Sequence, residues 1–83
     1  MKNLKDTVAL MQSDDYGERF RAEYWQTKIR YEKLHRVCIR LEAGTLDFSP
    51  VCSPEILRKQ EQQMLDYLRT LEIRAEIEEI DIS

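Results

Sequence analysis

The residues best suited to chemistry are Tyr16, Arg19, Arg21, Trp25, Lys28 and Arg30, gathered in one short stretch near the start of the chain. Aromatic rings interleaved with guanidinium and ammonium groups are what an anionic, ring-bearing ligand requires. A base stacks on a ring face and the cations pair with phosphate. The surrounding stretch is basic, with seven bases from Arg19 to Arg40 against the acids Glu23 and Glu32. From Glu72 to Ser83 the balance reverses, five acids standing against Arg74. Three readings of that segregation are open: solvated charged faces, an acidic tail that neutralises the basic helix of the same or another copy, and a basic surface for an anion.

No catalytic constellation accompanies these residues. The sequence has no Gly-rich phosphate loop, no His paired with a nucleophile motif and no acids at metal-ligating spacing. No catalytic residue, metal site or cofactor is therefore expected. His35 reads as a structural histidine flanking Leu34. Cys38 and Cys52 lie 14 residues apart without the paired spacing of a zinc site, and read as reduced thiols. No run approaches the roughly 18 apolar residues of a membrane span, and nothing suggests export, so a cytoplasmic protein is expected. A net charge of −3 and an isoelectric point near 5.1 argue against duplex nucleic acid as a partner.

The elements that must position the candidate site are helices. With 83 residues, 35% charged and 42% hydrophobic, and only two Gly and two Pro, the composition suits long surface helices. The expected fold is all-α: one domain spanning 1–83, built as a long antiparallel helix hairpin with a short N-terminal helix. A chain this short buries a small share of its surface, so a homo-oligomer is expected.

Phe20, Tyr24, Thr27, Tyr31, Leu34, Cys38 and Leu41 alternate steps of four and three, which predicts a helix over 14–42 with one buried seam. Ser13-Asp14-Asp15 marks its start and Gly44 its stop, giving a rod of about 40 Å. Ser53-Pro54-Glu55 opens a second helix over 54–79, with a seam of Leu57, Met64, Leu68, Leu71 and Ala75 that Glu61 interrupts. That interruption predicts a looser or wetter hairpin near its loop. Ile77 to Ser83 drifts toward period two, so the helix should give way to an extended end.

The loop 43–53 is longer than a tight helix connection and carries Leu46, Phe48 and Val51, which read as a plug over the hairpin's open end or as a hook for a partner. Leu4, Val8 and Met11 predict a short amphipathic helix within 1–12. On a helical wheel Arg21, Trp25, Lys28, Ile29 and Arg36 fall broadly opposite the seam. A tryptophan turned from the core predicts either a subunit contact through Trp25 and Ile29, or a ligand platform.

Arg19-Phe-Arg-Ala-Glu-Tyr24-Trp-Gln-Thr-Lys-Ile-Arg-Tyr31, Leu41-Glu-Ala-Gly-Thr-Leu-Asp-Phe48 and Gln62-Gln-Met64-Leu-Asp-Tyr67-Leu-Arg-Thr-Leu71 together resemble a family of small helical phage and prophage proteins, the crAss-phage-related ones. The resemblance covers roughly 16–80 and rests on aromatic and charged positions. It implies a phage protein in a host cell. The architecture is also similar to helical sponges that sequester cyclic nucleotide immune signals at subunit junctions. The expected function is capture of such a signal without cleavage, with Tyr16, Arg19, Arg21, Trp25, Lys28 and Arg30 as ligand residues. The alternative is an inhibitor or adaptor that binds a host defence protein such as a CRISPR nuclease.

Overall fold

The computed structural model describes residues 3–83, so the first two positions of the expected 1–12 segment lie outside the described residues. The chain forms a 3₁₀ turn over Leu4–Thr7, a single α-turn over Val8–Met11, here α1, and two long helices, α2 over Tyr16–Ala43 and α3 over Pro54–Glu78. The long helices pack on each other as an antiparallel hairpin, and the N-terminal segment packs on the other side of α2. Among the described residues there is no strand.

Helix α2 starts where Asp15, in extended backbone, accepts the amide of Glu18 at 2.9 Å. Ser13, the first residue of the expected start signal, accepts the amide of Asp15 and shapes the approach. At the far end Gly44 takes φ +74°, and the amide of Thr45 returns to the carbonyl of Arg40 at 2.9 Å. Only a residue without Cβ holds that left-handed turn at no cost. Ser53 caps α3 by accepting the amide of Ile56, with Pro54 in the first turn.

The core forms toward the chain ends of the hairpin, where Phe20 and Tyr24 of α2 bury against Leu68, Leu71 and Ala75 of α3. Toward the loop the seam thins. Leu34, Leu41, Leu57 and Met64 are only half-buried, and Glu61 sits among them, accepting from His35 at 2.6 Å. The looser seam predicted from Glu61 is what forms. Cys38 is buried beside it and Cys52 is exposed, and both are free thiols.

Three expectations need correction. The N-terminal segment buries Thr7 completely and leaves Val8 and Met11 about half exposed. The 3₁₀ turn over Leu4–Thr7, with three residues per turn, brings Thr7 under Leu4 and shifts the row by one, so Leu4, Thr7 and Leu10 are the covered positions in place of Leu4, Val8 and Met11. Gln26 on α2 meets this segment, its amide donating to the Thr7 hydroxyl and to the Met11 sulfur. The loop plug is smaller than expected: Leu46 and Pro50 are half-buried, but Phe48 is 56% exposed and Val51 wholly so. Ile29, expected to be free for a subunit contact, is buried on the Ala22–Gln26 face that the N-terminal segment covers.

Candidate functional site

The first half of α2 shows three faces, because each residue turns the helix by about 100°. Phe20, Tyr24 and Tyr31 enter the seam; Ala22, Gln26 and Ile29 meet the N-terminal segment; Arg21, Trp25 and Lys28 form the flank between them. The wheel left that flank uncovered, yet the end of the chain lies on it. Glu79 takes a left-handed φ of +56°, the amide of Ile80 closes on the carbonyl of Ala75 at 2.9 Å, and Ile80–Ser83 runs back toward α2. Ile80 and Ile82 pack on the core cluster alongside Trp25.

The tail engages both hydrogen-bonding residues of the flank. Trp25 Nε1 donates to the carbonyl of Ile82 at 2.7 Å, and Arg21 Nη2 donates to the main-chain oxygen of Ser83 at 3.0 Å. Trp25 is thus half-buried, with its ring edge-on to Tyr24 at 5.6 Å. The correction to the wheel has a plain cause. The indole is long and amphipathic, and a flank position next to the seam lets its apolar body reach the core while its N–H finds the tail.

Lys28 completes the flank, its Nζ 5.1 Å from the centre of the Trp25 ring and 5.6 Å from that of Tyr24, within cation–π range. These residues, with Glu72, Ala75 and Glu76 of α3 and the tail, line a groove of about 620 Å³. An adjoining groove of about 420 Å³ shares Tyr24, Lys28 and Glu72 and continues along the hairpin past Tyr31 and Leu65. Between the two, the Tyr24 hydroxyl donates to Glu72 Oε2 at 2.7 Å. Burial and that carboxylate push the Tyr24 phenol well above its ordinary pKa, so it remains a donor across the physiological range. The Ser83 hydroxyl and amide hold the Asp81 carboxyl below its usual range and fix its charge at the groove mouth.

Of the six residues singled out from sequence, the fold brings together Arg21, Trp25 and Lys28. The others lie elsewhere. The Tyr16 hydroxyl donates to Glu78 at 2.8 Å and accepts from Arg74 at 2.7 Å. That carboxylate raises the Tyr16 pKa, while the hydroxyl and Arg74 lower that of Glu78. Arg19 donates to the carbonyl of Ser13, and Arg30 is exposed. Residue spacing missed Glu72, Glu76 and the strap made by Ile80 and Ile82. The period-two isoleucines were the available signal for the strap, but the sequence does not say which helix flank they return to.

A second cluster, at the loop end, joins His35, Glu61 and Cys38, with the His35 ring stacked 5.5 Å from Tyr31. Burial pushes the Cys38 thiol up, which opposes a nucleophilic role. Among the described residues no three His, Cys, Asp or Glu side chains converge as a metal site would need, and no helix is long and apolar enough to cross a membrane.

No curated protein matches the chain, and no solved structure does. A family model does match, over residues 14–77, which takes in both long helices and stops short of the tail. The hairpin that carries Arg21, Trp25 and Lys28 is therefore the shared part, and the chain belongs to the Sequestin family, whose name denotes a sequestering, binding role.

Proposed function

We propose that the chain is a phage counter-defence protein that sequesters a small anionic nucleotide, of the cyclic immune-signal class, without cleaving it. The observation that carries this reading is that Trp25 and Lys28 line one groove with the Tyr24 ring, while Arg21, one turn back on the same flank, lines the neighbouring cleft across Ile80 and Asp81. A base would lie on the aromatic faces, and phosphate oxygens would take the guanidinium and ammonium groups. About 620 Å³ is within the range of small-ligand sites. The sequestering family supports capture over turnover, and the resemblance to phage proteins supports the setting in a host cell. Copies would associate through the outer face of α3, where Ile73 and Ile77 are 51% and 75% exposed.

A thermal shift scan against cyclic dinucleotides, cyclic trinucleotides and cyclic ADP-ribose isomers tests the reading. The true ligand stabilises the protein by about 2.7 kcal/mol at a hundred times its dissociation constant and is recovered intact after denaturation. No shift with any of them rejects it. The exposed loop residues Phe48 and Val51 favour a second reading, an inhibitor or adaptor seated on a host defence protein such as a CRISPR nuclease. Pull-down from host lysate then gives one stoichiometric band that Val51→Asp removes. A band unaffected by that change argues against the loop as the contact.

A further inference from the structure

Arg21 is the unusual residue of the flank. Its Nη2 reaches the main-chain oxygen of Ser83 at 3.0 Å, but its Nε is buried and has no hydrogen-bond partner. Nε and Nη2 form one edge of the guanidinium, the edge that a carboxylate or phosphate engages with two parallel hydrogen bonds. A single main-chain oxygen satisfies half of it. A buried donor left unpaired carries a desolvation cost that an oxyanion would remove.

The tail that supplies that oxygen has the form of a stand-in. It offers one acceptor to Trp25 and one to Arg21, brings the Asp81 carboxylate beside them, and is held by Ile80 and Ile82 on the core. With the tail down, Asp81 lies beside Arg21, and Lys28 shares the groove with Glu72, Glu76 and Asp81; displacing the tail would carry Asp81 away and open the Arg21 edge.

We propose that Ile80–Ser83 is a displaceable strap over an oxyanion site built on the Nε–Nη2 edge of Arg21, and that a phosphate-bearing ligand enters by taking the strap's place. The choice of a nucleotide as that ligand rests on the function proposed above; the strap and the oxyanion site do not. Trp25 is the sole tryptophan, so its fluorescence reports the groove alone. The full chain carrying Ile80→Gly and Ile82→Gly keeps the hairpin and loses the strap's apolar anchors.

In that variant, quenching of Trp25 by iodide, a small anion, should rise severalfold over the parent chain, and by more than quenching by neutral acrylamide. High salt should erase the difference. Cyclic di-AMP and cyclic ADP-ribose serve as nucleotide probes, and whichever binds the parent chain should bind the variant about tenfold more tightly, the factor expected when a competing pair of ordinary hydrogen bonds is removed. Arg21→Gln in the variant should abolish the excess iodide quenching. Should the double substitution lower helicity, Ile82→Ser alone is measured in its place.

Equal quenching of parent and variant overturns the proposal, as does a nucleotide that binds the variant more weakly. An iodide gain that depends on Arg21, with no nucleotide bound by either chain, upholds the strap and overturns the nucleotide reading.

Discussion

The two ends of the hairpin are built from the same pair of helices and differ in what fills the space between them. Where the chain enters and leaves, Phe20, Tyr24, Leu68, Leu71 and Ala75 close on one another, with the tail laid over one flank and Tyr16, Arg74 and Glu78 linked on another. At the loop end a carboxylate stands in the seam, its partner is His35 with Cys38 nearby, and the connecting segment leaves Phe48 and Val51 in solvent. The first end has the burial to hold a groove in a fixed shape, as a binding site requires. The loop end has the exposed apolar side chains that a partner would cover.

Removing apolar volume from the packed end has the largest expected effect. Leu71 is fully buried, and Leu71→Ala should cost about 2–5 kcal/mol, read from denaturant unfolding. Val51→Ser, at the loop end, should change stability by less than about 0.5 kcal/mol, because that side chain touches little. Comparable losses at both sites would erase the contrast.

Filling the loose seam should move the other way. Glu61→Leu joins Leu57 to Met64 and leaves behind only an exposed His35, so a gain of about 1 kcal/mol is expected, a rise of about 4–8 °C in Tm for a chain of this size. A fall in Tm would mean that the His35 bond to Glu61 outweighs the packing.

The smallest effect is an acid-side pH dependence at the packed end. Glu78 and Asp81 have folded pKa values below their unfolded ones, so the stability they contribute is present above the ordinary carboxylate range near pH 4 and lost as pH falls through the folded values. Trp25 quenching should therefore increase in mild acid before helicity declines. Asp81→Asn should flatten that early change.

Helix positions and ends were legible because local chemistry sets them: Gly44 can turn left-handed, Ser53 can cap, and Phe20 to Leu41 keep one face. The soft end was legible in Glu61, a charge at an apolar step. The N-terminal register was not, because Leu4, Val8 and Met11 fit an α-period while Leu4–Thr7 took a 3₁₀ turn that shifted the row to Leu4, Thr7 and Leu10. The site was legible in its parts and not in its assembly. Arg21, Trp25 and Lys28 are neighbours along one flank, but their partners in the tail are more than fifty residues away, and nothing local to either segment encodes the meeting.

That meeting depends on the residue at which α3 stops. Each added residue rotates a helix by about 100° and advances it about 1.5 Å, so the point of exit sets the compass bearing of everything that follows. With the left-handed turn at Glu79, the bearing is toward Arg21 and Trp25. One residue more or fewer would swing Ile80–Ser83 through more than a quarter circle and off the α2 flank. The turn at Glu79 is in effect a phase setting, and a single insertion or deletion before it would open the groove while leaving every groove-lining residue of the two long helices intact.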